Sequence, residues 1–262
     1  MTKPSTIGGI NRLPEAEKRA YYQHIIPPAL LAKYAIPDHL IDSQGRDLLQ
    51  LKAEPGSTQV ELALYHHYQA LDPVIFGHLT DTLQGQIHIL LYGMNDPTAR
   101  RYHVDRLPDG EKTKFGTGSR NIPEETAALA AGLAPGQVRR GPGLFKETLK
   151  QFETFVADLG HKLFFVEPLY YHVAVMFEWH GFAYQNGKST MKAIDEGFSP
   201  GGRLLEKLDG SSPFRRPEAA SSIRLRSWAV HDRILGKPFP DLTMYKILDQ
   251  HAGVSTTDQV KW

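Results

Sequence analysis

The sequence predicts an α+β protein, a mixed and mostly antiparallel sheet covered by helices. Three observations carry that prediction. Residues Gln59 to His67 alternate Val60, Leu62 and Leu64 against Glu61, Ala63 and Tyr65, the period of a strand with one apolar face. Two further stretches, Val74 to Leu83 and Gln86 to Asn95, flank Gln84-Gly85 in the manner of a hairpin. Phe145, Leu149, Phe152, Val156 and Leu159 recur at helical spacing between Gly143 and Gly160, with Lys146, Glu147, Lys150, Gln151 and Asp158 on the opposite side.

Taken in order, residues 1–12 read as a tail. A helix starts at Pro14, where proline suits the first turn and Glu15 and Glu17 suit the positive end of the helix dipole, and Pro27-Pro28 end it. A short helix over Ala29 to Tyr34 follows, and strands begin at Leu48. A two-residue turn at Gln84-Gly85 sets Asp81 with His88 on one side of the sheet, and Phe76, His78, Ile87, Ile89 and Leu91 on the other. Residues 96–125 form a long loop rich in glycine, proline and charge, including Arg100, Arg101, His103, Arg106 and Arg120; such a loop is a functional flap or a solvated excursion. Glu124 to Leu133 is an alanine-rich helix. After the Gly143 to Gly160 helix come a strand at Leu163 to Val166, stopped by Pro168, and a helix from Tyr170 to His180 closed by Gly181. Short helices are expected around Lys188 to Glu196 and Arg203 to Leu208, and a longer one from Pro217 to Leu235. This divides the chain into a helical N-terminal extension (1–58), a core (59–187) with an inserted loop (96–125), and a helical C-terminal extension (188–262).

Composition narrows the function classes. The 262 residues are 41% hydrophobic and 23% charged, a globular balance. Lys+Arg 30 against Asp+Glu 29 leaves a formal charge of +1, so no overall field draws the chain to nucleic acid or to anionic lipid, and neither is expected as a partner. The absence of cysteine excludes a disulfide framework, a thiolate nucleophile and any cysteine-ligated metal. The first ten residues lack the apolar run of a secretion signal and no later run is long enough to span a bilayer, so a cytoplasmic location is expected.

Two stretches concentrate chemistry. Gln137-Val138-Arg139-Arg140-Gly141-Pro142-Gly143 precedes the clearest helix, and glycines, free first-turn amides and two arginines together suit an anion; a solvated loop turning into a helix is the plainer reading. Phe164-Phe165-Val166-Glu167-Pro168-Leu169-Tyr170-Tyr171-His172 runs from a strand end into a helix. Glu167 and His172 there could exchange a proton through a common cleft, if Glu167 is partly buried, or could instead cap a helix and fill a core. His66, His67, His78, His88, His172 and His180 lack a recognised ligand spacing, so no metal is expected.

In this order the second half resembles the GCN5-related N-acetyltransferases (the GNAT superfamily) over about residues 60–184. The resemblance rests on the Arg139-Arg140-Gly141-Pro142-Gly143 loop before a helix, the strand at Leu163 to Val166, and the helix Ala174-Val175-Met176-Phe177-Glu178-Trp179-His180-Gly181-Phe182. It implies a GNAT-like sheet, and acetyl-CoA or another acyl-CoA as co-substrate with a small-molecule amine as acceptor. Arg139, Arg140, Gly141, Gly143 and Phe177 would contact the coenzyme. Phe177 falls where many members carry the tyrosine that protonates the departing thiolate, which leaves that role to another group such as Tyr171 or His172, or to none, and Glu167 and His172 would carry protons. Two other readings stand beside it: a non-catalytic protein of the same fold that binds CoA or another ligand, and a metal-dependent enzyme using the histidines.

Overall fold

The computed structural model describes residues 3–116, 118–257 and 260–262. In chain order they form α1 (Ile7–Ile10), α2 (Glu15–Gln23), α3 (Pro28–Lys33), β1 (Leu49–Lys52), β2 (Gln59–Leu64), β3 (Ile75–Asp81), β4 (Ile87–Met94), α4 (Ile122–Ala130), α5 (Phe145–Asp158), β5 (Leu163–Val166), α6 (Tyr171–Trp179), β6 (Ala183–Asn186), α7 (Lys188–Phe198), α8 (Ile223–His231) and β7 (Thr243–Ile247). Short 3-10 helices lie at Lys114–Gly116 and Pro217–Ser221. The class is α+β and the strand pairing mostly antiparallel. Among the described residues no helix is long and apolar enough to cross a membrane.

The chain divides into two compact units that interleave in sequence. One comprises residues 1–99, 141–167 and 245–250; the other comprises 100–140, 168–244 and 251–262. The sequence predicted three consecutive blocks instead. Strand β1 lies in the block expected to be helical at the N-terminus, and β6 and β7 were not anticipated, because four or five residues are too few for alternation to declare itself.

In the first unit the strands run in the order β1-β2-β3-β4-β5-β7, with β7 entering from Tyr245. Strands β1 to β4 form an antiparallel meander, and β5 lies parallel to β4. A parallel pair needs a crossover, which α5 supplies. Its apolar stripe buries Phe152, Phe155 and Val156, and the Phe152 ring meets Phe164 of β5 edge-on at 4.9 Å. Val60, Leu62 and Leu64 of β2 are all buried, as their alternation predicts.

The expected tail, 1–12, is structured over its described residues, 3–12; residues 1 and 2 lie outside them. Ile7 and Ile10 are fully buried, and the Asp81 carboxylate at the end of β3 accepts hydrogen bonds from the Ile7 and Gly8 amides at 2.7 and 2.8 Å, which anchors α1. The hairpin also departs from its predicted register. Thr82 donates to the Gln86 carbonyl at 2.8 Å and Gly85 takes a left-handed φ of 79°, so the loop has three residues, Leu83 to Gly85, and Asp81 faces Ile87. Further along, His78 pairs with Leu91 while Leu79 pairs with Ile89, which leaves Leu90 as an extra residue in β4. His88 and Leu91 therefore share a face with His78 and Thr80. Ile87 and Ile89 take the other, with Asp81.

In the second unit, Tyr102, Val104, Ala128, Leu129, Leu133, Phe214 and Trp228 form a hydrophobic cluster. Trp228 stacks on Phe214 at 5.1 Å and donates through Nε1 to the Leu133 carbonyl at 2.8 Å. Tyr102 and Val104 come from the stretch predicted to be a long loop, and α4 starts at Ile122 because Asn121 caps it, accepting from the Glu124 amide. The helix expected from Pro217 is instead the 3-10 turn followed by α8, whose start is capped by Ser222. Arg203 to Leu208 is a run of turns.

Candidate functional site

The first unit has an opening in its strand pairing beside β4. Strand β5 accompanies β4 at only two register positions, His88 with Phe165 and Ile89 with Val166, and a last bond runs from the Glu167 amide to the Ile89 carbonyl at 3.1 Å. Pro168, which has no amide to continue the ladder, follows. Among the described residues, strand β4 runs on through Leu90 to Met94 without a strand on that side. Inner strands are ordinarily buried and paired on both edges, yet every residue from His88 to Met94 is only half-buried. The extra residue Leu90 sits where the two strands part.

At the head of this opening the His88 imidazole meets the Glu167 carboxylate, Nε2 to Oε1, at 3.3 Å. The pair stops short of hydrogen-bond geometry, since His88 Nε2 has no hydrogen-bond partner among the described residues. Burial lowers the His88 pKa and the facing Glu167 charge pulls it partly back, so the resting imidazole is neutral at pH 7. Phe165 packs edge-on to the ring at 6.1 Å.

The far end of the opening leads to the start of α5. A side-chain carbon at Gly141 would stand 3.9 Å from the Met94 carbonyl, so the Gly141-Pro142-Gly143 loop passes the end of β4. Gly143 adopts a φ of 75° that a side chain would strain. Leu144 supplies no side-chain cap to α5, so no side chain occupies the amide end of that helix from the cap position. Lys33, at the end of α3, donates to the Pro142 carbonyl at 2.6 Å and sets an ammonium on this loop. Nothing in the local sequence marks Lys33, because 109 residues separate the two partners.

The other predicted residues belong to the second unit, whose boundary falls between Arg140 and Gly141. Arg140 is exposed and Arg139 half-buried. Tyr171 is fully buried and its hydroxyl pKa is pushed up to about 12 by that burial, with Arg226 opposing. Phe177 packs against Phe182 at 4.7 Å. His172 is buried. Its backbone amide donates to Ser227 Oγ at 3.3 Å and its Nδ1 shares a hydrogen bond with the same hydroxyl at 2.8 Å. Burial, with the nearby His231 adding to it, lowers the His172 pKa to about 3. The proton pair expected between Glu167 and His172 is thus two separate partnerships, His88 with Glu167 and Ser227 with His172.

The second unit also holds a buried charge network. Arg120 hydrogen-bonds Glu125 and donates to Asp232 Oδ1 at 2.7 Å; Arg215 and Ser212 donate to Asp232 Oδ2 at 2.9 and 2.8 Å. His231 Nε2 lies 3.3 Å from Glu125 Oε1. Among the described residues no group of three His, Asp or Glu is placed to hold a metal ion. Compared with protein-family models, with curated proteins and with solved structures, this chain matches none.

Proposed function

We propose that this chain transfers an acyl group from an acyl-CoA to an amine, in the manner of the GNAT superfamily its sequence resembles. The observation that carries the proposal is the unaccompanied stretch of β4 beyond its extra residue, with a histidine–carboxylate pair at one end and an uncapped helix start at the other. A thioester lying along that edge would present its carbonyl to backbone amides that β5 does not pair, and an amide there would stabilise the oxyanion that develops. The neutral His88 takes a proton from the acceptor amine, and Glu167 stabilises the imidazolium that results. The amine lone pair then attacks the carbonyl carbon, the C–S bond breaks as the carbonyl re-forms, and the proton held by the His88 imidazolium passes to the departing thiolate. The role expected of His172 passes to His88, since a buried imidazole already bonded to Ser227 has no free nitrogen facing substrate at Nδ1. Gly141, Gly143 and the first amides of α5 suit the diphosphate of the coenzyme, with Lys33 beside the loop and Arg139 and Arg140 preceding it in sequence.

The test is whether the purified full chain releases a CoA species on denaturation and binds CoA in calorimetry. Saturable binding is expected, weakened about ten- to a hundredfold by Arg140→Ala or Lys33→Ala, the range for one lost charged hydrogen bond. No binding at millimolar CoA would overturn the proposal.

A further inference from the structure

The two phenylalanines of β5 have opposite surroundings. Phe164 is fully buried and meets Phe152 of α5, whereas Phe165, the next residue, pairs in register with His88 on the other face of the sheet and is only half-buried. Two rings adjoin Phe165: the His88 imidazole at 6.1 Å and the half-buried Tyr245 ring of β7 at 6.4 Å. Leu91, also half-buried, stands on the His88 face along the unaccompanied stretch of β4. Strand β5 lies between β4 and β7, and a phenylalanine there is ordinarily covered. Left partly open beside a histidine, Phe165 offers apolar surface to a ligand.

The charges on that face are already paired. Within β1 to β5 the register puts Lys52 and Glu61 there, and the Lys52 ammonium lies 2.8 Å from the Glu61 carboxylate. His78 shares a hydrogen bond with Gln59 at 3.1 Å. The charge that stands beside His88 is the Glu167 carboxylate. A second ammonium on the acceptor would need a further free carboxylate, and a carboxylated acceptor would need a free cation; among the described residues, β1 to β5 hold neither on this face.

We infer, resting on the acyl-transfer reading above, that the acceptor is an arylalkylamine whose ring lies against Phe165 and Tyr245 while its nitrogen meets His88. A two-carbon spacer sets nitrogen and ring centre about 5 Å apart. One end then reaches the imidazole and the other the neighbouring rings, at the roughly 4.5–7 Å separations that aromatic pairs prefer. The acyl carbon leaves the thioester sulfur for the amine nitrogen. The products are an arylalkyl amide and the free thiol of CoA, whose proton is the one His88 took from the amine. Phe165 and Tyr245 select the acceptor and take no part in the proton transfer.

Thiol release from acetyl-CoA by the full chain, with 2-phenylethylamine, putrescine and glycine as acceptors, tests this beside CoA binding by calorimetry. The expected kcat/KM for 2-phenylethylamine is at least about tenfold above the other two. Phe165→Ala should raise the KM for 2-phenylethylamine about tenfold without moving the KM for acetyl-CoA, and Phe165→Tyr, which keeps a ring, should hold the parent value. The acceptor comparison on the parent chain decides the matter even if Phe165→Ala does not fold. Putrescine or glycine used as well as 2-phenylethylamine, an unchanged acceptor KM in Phe165→Ala, or CoA binding without transfer to 2-phenylethylamine would each overturn this inference and leave CoA binding in place. Absence of CoA binding would overturn acyl transfer itself, and this inference with it.

Discussion

Each unit sets a histidine 3.3 Å from a glutamate, and the two pairs have opposite surroundings. In the second unit the Glu125 side chain is 3% exposed, is held by Arg120, and belongs to a network that continues through Asp232 to Arg215 and Ser212. Burial alone would raise the Glu125 pKa, but His231 and Arg120 outweigh it and hold the carboxyl below its usual range. In the first unit the Glu167 side chain is 41% exposed, no arginine among the described residues closes it, and His88 Nε2 is left without a hydrogen bond. Distance alone therefore does not separate structural pairs from reactive ones. Saturation of partners does: a closed network has no free valence for substrate, and an open pair has one at each member.

The largest effect expected from that difference is on folding. Glu125→Ala leaves Arg120 and His231 buried without their carboxylate and should destabilise the protein by about 3–5 kcal/mol, measured by denaturant unfolding. A loss below about 1 kcal/mol would show that the network is dispensable and that the two pairs are alike. His88→Ala should act the other way, lowering acyl transfer by about 10²- to 10⁴-fold with little change in unfolding midpoint; steady-state kinetics beside thermal melts separates the two. Acid should sharpen the contrast. The folded His172 pKa of about 3 lies below the ordinary imidazole value of 6.5, so the stability it contributes is present above pH 6.5 and is lost as pH falls toward 3. The slope is at most roughly 1.4 kcal/mol per pH unit, and His172→Gln should flatten it in denaturant titrations compared at neutral and acid pH. The smallest effect belongs to Glu167→Gln, whose stability should stay within about 0.5 kcal/mol of the parent, as for other surface positions.

What was legible in the sequence was whatever a short window can encode. The α5 stripe, the existence of the β3–β4 hairpin and the β5 strand end at Glu167-Pro168 all follow from periodicity and proline. The register did not, because Gly85 serves equally in a two- or a three-residue loop, and because Leu90 looks like any strand leucine until its β3 neighbours are known. Ile7 and Ile10 looked like tail residues since the Asp81 that anchors them is more than seventy positions away. The candidate site was half legible for the same reason. Glu167 and the Gly141–Gly143 loop declare themselves locally, whereas His88 becomes the partner of Glu167 only through the parallel pairing of β4 with β5.

The interleaving of the two units bears on how the chain is made. It passes from one unit to the other after residues 99, 140, 167, 244 and 250. During synthesis the meander of β1 to β4 can form early, since its contacts are between neighbours in sequence. The outer flank of β5 must then stay unpaired until β7 emerges. A nascent chain halted between residues 166 and 243 therefore exposes a strand edge that the finished chain covers, and such edges are where stalled polypeptides stick to one another.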